Sequence, residues 1–255
     1  MKLTNKRRND ILTEIIKKGS VTVHHLSKEF GVSYETIRKD LTFLDKKGYI
    51  IKEHGGATAL NSLIENSFTV RQEKQIKSKK LIATTASKLI LDNSSIILGS
   101  GSTVLELAKL LVARRNLKIY TDSFPVASAL ANSENELYFF GGKIRAKSSS
   151  VYGGWTNEAI NSIKANMCFI GSDNFAGHSG PTTPSYSDYG VDKLLLEHSN
   201  KKYVLADSTK FEGSGLYQIT NWENITALIT NVISKTQADT LSSLTNVIQA
   251  KNSQI

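Results

Sequence analysis

The stretch Gly31-Val32-Ser33-Tyr34-Glu35-Thr36-Ile37-Arg38-Lys39-Asp40-Leu41-Thr42-Phe43-Leu44 constrains this chain more than any other. Ile37, Leu41 and Leu44 recur at i, i+4 and i+7, which sets them on one apolar helix stripe. Tyr34, Glu35, Arg38, Lys39 and Thr42 then face outward. Ser33 is placed to N-cap this helix, with Glu35 in its first turn on the favourable side of the macrodipole. A shorter helical pattern over 23–30 precedes the turn, with Leu26 and Phe30 four residues apart and Thr22 as its expected N-cap. Helix, glycine turn, helix is the arrangement that lays its second helix in the DNA major groove, although spacing alone fits a plain helix hairpin equally well.

The residues after the second helix separate the two. Gly48 is expected to stop the helix after Lys46 and Lys47, and Tyr49 to His54 is a β-prone run ending in the turn Gly55-Gly56. A hairpin here is a wing, able to set Lys52, His54 and the Gly55–Gly56 backbone against phosphates. Residues 1–57 thus predict a winged helix-turn-helix domain. Its expected DNA contacts are Ser33, Tyr34, Glu35, Thr36, Arg38, Lys39, Lys52, His54, Gly55 and Gly56. A first helix over 4–18 turns Ile11, Leu12 and Ile15 inward and leaves Arg7 and Arg8 to meet phosphate. His24 and His25 are adjacent and cannot share a helix face at metal-ligand spacing.

The charge distribution agrees with a polyanion partner at this end. Residues 1–57 hold 12 Lys and Arg against 7 Asp and Glu, a net +5; residues 58–80 add +3, and residues 81–255 only +1. No apolar run approaches the ~18 residues of a membrane span. The basic start lacks an apolar h-region, so a cytoplasmic protein is expected. Cys168 is the only cysteine, which excludes an intrachain disulfide; it sits in an apolar run and reads as a small buried side chain. No metal-ligand cluster is apparent, His178 and His198 being isolated, and no cofactor is expected.

Residues 58–75 show no clean period and read as a linker, with Phe68 and Arg71 docking it onto a second domain over 76–255. There the pattern alternates. Helices are expected at 76–91, 103–113, 125–131, 191–199 and 237–244, and strands at 95–98, 117–121, 136–140, 166–170, 202–206 and 227–230. Alternation of this kind predicts an α/β domain with a mostly parallel sheet covered on both faces. Ligands in such sheets sit beyond the carboxyl ends of the strands. Gly99-Ser100-Gly101-Ser102-Thr103 lies there, where backbone N–H groups, hydroxyls and a helix N-terminus suit a phosphate ester. It matches neither the Walker A loop nor the dinucleotide fingerprint. Further polar turns supply Asp122 and Ser123, Gly142 and Arg145, Lys193, and Asp207 and Lys210 as candidate effector-binding residues.

Across almost its whole length the chain closely resembles the DeoR family of bacterial sugar-metabolism repressors. The N-terminal likeness lies in Gly31-Val32-Ser33, Thr36-Ile37-Arg38-Lys39-Asp40-Leu41 and His54-Gly55-Gly56-Ala57. The C-terminal likeness lies in Gly101-Ser102-Thr103, Gly141-Gly142, Phe169-Ile170-Gly171, Gly180 with Thr182, and Ala206-Asp207-Ser208-Thr209-Lys210. The resemblance implies an operator reader joined to an effector domain similar in fold to ribose-5-phosphate isomerase, which usually senses a phosphorylated sugar. There are departures. Gly99 stands where the family commonly has an acid, Asp122 where it has Asn, and Asp188 where Glu is usual; a glycine at 99 removes a side chain expected to contact sugar hydroxyls.

The expectation is a repressor of a carbohydrate-utilisation operon. Its partners are double-stranded operator DNA and a sugar-phosphate effector, with no membrane, and it assembles as a homo-oligomer (dimer or tetramer), because one small domain reads too few base pairs. The alternative is a sugar-phosphate isomerase-like enzyme with an accessory DNA-binding domain. Asp122, Asp207 and Lys210 are its only plausible acid–base set, without complementary roles to assign.

Overall fold

The computed structural model describes residues 2–47, 49–59 and 67–251. The chain divides into two compact units, Met1–Glu65 and Asn66–Ile255.

The first unit runs α1 (Lys2–Lys18), β1 (Ser20–Thr22), α2 (Val23–Phe30), α3 (Tyr34–Lys46), β2 (Ile50–Glu53) and β3 (Gly56–Ala59). Thr22 opens α2 by accepting from the His25 N–H at 3.1 Å. Gly31 closes it in the left-handed region (φ 62°), returning its N–H to the Ser27 carbonyl. Two residues on, Ser33 is extended and caps α3 through the Thr36 N–H. Ile11, Ile15, Leu26, Ile37, Leu41 and Leu44 are at most 2% exposed and form the core between the three helices. Each contributes about 1.5–3 kcal/mol of burial. The wing is larger than the expected hairpin: β1 joins it, giving an antiparallel sheet in the order β1-β3-β2. Three residues are too few to show a period, so β1 leaves no sequence trace. β3 pairs out to Ala59, past the expected boundary at 57. The expected stop at Gly48 lies outside the described residues.

The second unit opens with α4 (Phe68–Glu73), inside the expected linker, whose residues 60–66 lie outside the described residues. Ser67 caps α4 and Phe68 is buried in the core, so the expected docking of Phe68 holds. Then come α5 (Ile76–Ser87), β4 (Ser95–Leu98), α6 (Ser102–Leu111), β5 (Lys118–Thr121), α7 (Phe124–Leu130), β6 (Glu136–Phe139), β7 (Lys143–Arg145), β8 (Ser150–Tyr152), α8 (Gly154–Asn161) and β9 (Ala165–Gly171). The remainder is β10 (Thr182–Thr183), α9 (Tyr186–Glu197), β11 (Ser199–Leu205), β12 (Tyr217–Gln218), β13 (Ala227–Thr230), α10 (Lys235–Ser242) and β14 (Asn246–Gln249). α5 ends at Ser87 rather than Leu91, because the Leu89 and Ile90 N–H groups turn back to Ala86 and Ser87.

A seven-stranded sheet in the order β14-β13-β11-β9-β4-β5-β6 is parallel throughout. Alternation along the strands splits the core in two. Ile96, Leu98 and Phe169 pack under α5, α6 and α7, whereas Ile97, Cys168 and Ile170 pack under α8, α9 and α10. Cys168 is fully buried. With both faces closed, polar side chains at the carboxyl ends of the strands have one place to gather.

Candidate functional site

The outward face of α3 carries the side chains that could read DNA. Tyr34 is 48% exposed and its hydroxyl meets His24 Nδ1 at 2.8 Å. Glu35 and Lys39 pair at 2.9 Å one turn apart, so each holds the other. Between them Arg38 is exposed, and its side chain has no ion-pair or hydrogen-bond partner among the described residues. Thr36 is tied to the Ser33 cap. Lys52 of the wing donates to Thr42 Oγ1 at 2.8 Å, which fixes β2 against α3. His54 and Gly55 are exposed at the wing tip, where Gly55 takes φ 85°. Gly56 is buried instead: a Cβ there would meet the Val21 carbonyl oxygen at 2.3 Å, so this glycine lets β1 approach β3. Arg7 and Arg8 are not free, because the Nε of each pairs with buried Asp40.

In the second unit the strand ends enclose a polar basin. Asp122, just past β5, is buried, and burial together with neighbouring Asp188 pushes its carboxyl up to about 8, against the pull of the Asp122 and Ser100 backbone N–H groups. Its Oδ1 is buried with no hydrogen-bond partner. Asp188, in the first turn of α9, meets Arg145 Nη1 at 3.1 Å and accepts from Ser148 Oγ at 3.1 Å. Asp192, one turn on, is also buried, and burial with Asp122 and Asp188 raises it well above the carboxylate range while Arg71 opposes the rise. Ser100, Asp122 and Arg145 are therefore brought together. Ser123 caps α7 beside Asp122. Gly101 precedes the first turn of α6, with Ser102 and Thr103 buried behind it, and supplies no capping side chain.

A second cluster lies beyond β9 and β11. Asp207 accepts from the Thr209 N–H and hydroxyl, and Lys210 pairs with Asp173 at 3.6 Å. Lys79 of α5, only 4% exposed, lies in the field of Asp207 and Lys210, and burial brings its ammonium down to about 8.

Three expected contacts fall elsewhere. Lys193 sits beside Lys202, within β11 rather than beyond its carboxyl end, and pairs with Glu197. Gly142 (φ 132°) is a packing glycine: a Cβ would meet Thr156 Oγ1 at 2.1 Å. Gly99 donates its N–H to the Phe169 carbonyl, and a Cβ there would press on Ile170 and Leu195, so a side chain at 99 faces apolar core rather than sugar hydroxyls. Asp192 and Ser148 in the basin, and Lys79 and Asp173 in the second cluster, are not among the residues expected from sequence. His178 bonds the Gly215 carbonyl and His198 the Ile163 carbonyl, both structural uses.

A family model described as the DeoR-like helix-turn-helix domain matches residues 7–63, and one described as the DeoR C terminal sensor domain matches residues 74–232. Similar proteins include the putative aga operon transcriptional repressor of Escherichia coli O157:H7, 32% identical over 89% of this chain and 86% of its own length. The HTH-type transcriptional regulator GolR of Listeria innocua is 34% identical over 89% and 90%. A lactose phosphotransferase system repressor of Streptococcus mutans is 29% identical over 95% and 98%. Among solved structures, ribose 5-phosphate isomerase A of Methanocaldococcus jannaschii covers 52% of each chain at a TM-score of 0.39 and 20% identity.

Proposed function

The chain belongs to the DeoR family of helix-turn-helix transcriptional regulators, and on that premise we propose that it represses a carbohydrate-utilisation operon under the control of a phosphorylated sugar. It is a regulator rather than an enzyme. Relatives named for the aga operon and the lactose phosphotransferase system support the carbohydrate assignment. Among the described residues no helix is long and apolar enough to cross a membrane, which suits action on DNA in the cytoplasm. Arg38 and Tyr34 read base edges in the major groove, Thr36, Lys39 and the wing residues Lys52, His54 and Gly55 hold the phosphate register, and two or more copies bind together.

The observation that carries the effector site is the lone Asp122 Oδ1 beside the start of α6. A buried acceptor without a donor costs about 1–3 kcal/mol, and a sugar hydroxyl would supply that donor. The first-turn N–H groups of α6 would receive the phosphate. Ligand that favours one of two conformations then shifts operator affinity. Thermal shift of the full chain against phosphorylated hexoses, pentoses and polyols, each beside its unphosphorylated form, tests this. Stabilisation by phosphorylated members alone, with altered retention of a promoter fragment in a gel shift, is expected. No stabilisation by any member, or equal stabilisation by the neutral sugars, overturns it.

A further inference from the structure

The short helix α4 is fastened at one end beside the basin and at the other to Lys79 of the second cluster. At its start the Lys147 carbonyl accepts from the Phe68 N–H at 2.9 Å and from Arg71 Nη2 at 3.5 Å. Ser148, the next residue, donates to Asp188. At its end Lys79 Nζ donates to the Arg71 carbonyl and, at 2.6 Å, to the Lys74 carbonyl. Lys79 in turn lies in the field of Asp207, Lys210 and Glu106. Arg71 Nε is buried with no hydrogen-bond partner. Arg71 itself is half-buried, but an N–H donor shut off from water is costly to leave unmet, and a bound anion removes that cost. Arg71 Nε and Asp122 Oδ1 are one unsatisfied donor and one unsatisfied acceptor, and both residues act on the buried carboxyl of Asp192 that lies between their fields, a pattern that an anionic polyol would complete from both sides. α4 is also the first element after residues 60–66, the segment leading from the winged helix domain.

We infer that Arg71 binds the anionic group of the effector, and that its capture tightens α4, making this helix the part of the sensor domain that reports occupancy to the DNA-binding domain. The inference rests on the sugar-phosphate reading of the basin and adds the residue and the element through which the site is read. Arg71 is suited to the task because its planar fork can hold the Lys147 carbonyl and an anion at once, which an ammonium cannot do in fixed geometry.

Hydrogen exchange on the full-length protein tests it, with inorganic phosphate compared against chloride at matched ionic strength. In the wild type, phosphate is expected to slow exchange several-fold over both 99–105 and 67–75 and to change the affinity for a labelled promoter fragment. Arg71→Gln is expected to keep the slowing over 99–105 and to lose both the slowing over 67–75 and the change in DNA affinity. Arg71→Lys should recover part of each, and it stands in for the glutamine variant if that one does not fold. Both variants can lose the Nη2 bond to the Lys147 carbonyl, so each is compared with itself with and without phosphate: a merely structural arginine would lower Tm equally in both conditions, whereas an anion-binding one costs the phosphate-dependent part. Slowing confined to 99–105 in the wild type, wild-type behaviour of both variants, or DNA affinity indifferent to phosphate overturns the role of Arg71 and α4 while the anion site stands. No slowing over 99–105 in the wild type overturns the anion site, and this inference with it.

Discussion

Asp40 Oδ2 accepts from Arg7 Nε at 2.7 Å, and the carboxylate's other oxygen accepts from Arg8 Nε at the same distance. This joins α1 to the reading helix α3 through a side chain that is 2% exposed. Arg8 also lies over the Phe43 ring, 4.0 Å from its centroid. Removing one partner of a fully buried ion pair costs about 3–5 kcal/mol, but both arginines keep about a quarter of their surface in water and can be rehydrated. Asp40→Ala is therefore expected to cost about 2 kcal/mol, read as a lower urea midpoint for the winged helix transition. An unchanged midpoint would mean that the bridge is an ornament of the folded state.

Arg38 is exposed on α3 between a lysine and a glutamate that hold each other. If it reads a base edge with both nitrogens, Arg38→Ala costs ~1–3 kcal/mol of operator affinity and relaxes preference at one position. Lys52→Ala should instead weaken all sequences alike and reduce the salt slope by about one. Gel-shift titrations over a series of salt concentrations separate the two; equal losses on operator and random DNA for Arg38→Ala would remove it from base reading.

Much of both units was legible because periodicity and caps are local. The α2 boundaries, the Ser33 cap and the strands at 95–98 and 227–230 coincide with expectation. The buried charges were harder, yet they left a mark. Asp40 follows Ile37 by three and precedes Leu44 by four; Lys79 precedes Ile82, Ala83 and Ala86 at helical spacing; Asp188 and Asp192 share a face with Leu195. A charge at an apolar-face position is a signal that a search for outward-facing residues passes over. The distant partner that meets such a charge could not be read, since Arg7 and Asp40, or Arg145 and Asp188, are joined only by the folded chain. Gly142 and Gly99 are ambiguous for a related reason: a glycine at a strand end looks the same whether it admits a ligand or a neighbouring element, and the structure shows the neighbouring element.

Gly142 offers a test of packing apart from binding. Its φ of 132° is one that side chains avoid, and an added Cβ would lie 2.1 Å from Thr156 Oγ1 and 2.9 Å from the Tyr152 carbonyl oxygen. Thr156 Oγ1 is held by its bond to the Gly141 carbonyl at 2.7 Å and cannot swing aside without losing it. Gly142→Ala is expected to destabilise the sensor domain by about 2–4 kcal/mol, from backbone strain plus overpacking. A melting curve of the full chain checks this, and a variant as stable as the parent would show that β7 and α8 can part without cost.

Asp122 gives the pH prediction. Its carboxyl is raised to about 8 by burial and by Asp188, whereas in the unfolded chain it titrates near the ordinary aspartate value of about 4. Over that window the unfolded state releases a proton that the folded state retains, so this group's contribution is fully present below about pH 4 and is lost as pH rises towards 8. Above that it no longer changes. Asp122→Asn keeps the shape and cannot ionise, so the variant should gain on the parent steadily between pH 4 and 8, by on the order of a few kcal/mol, and hold a constant lead beyond. Urea unfolding of both proteins at pH 5, 6, 7 and 8 gives the difference directly. A flat difference across those values would mean that Asp122 is ionised in the folded protein and that its Oδ1 has found a donor.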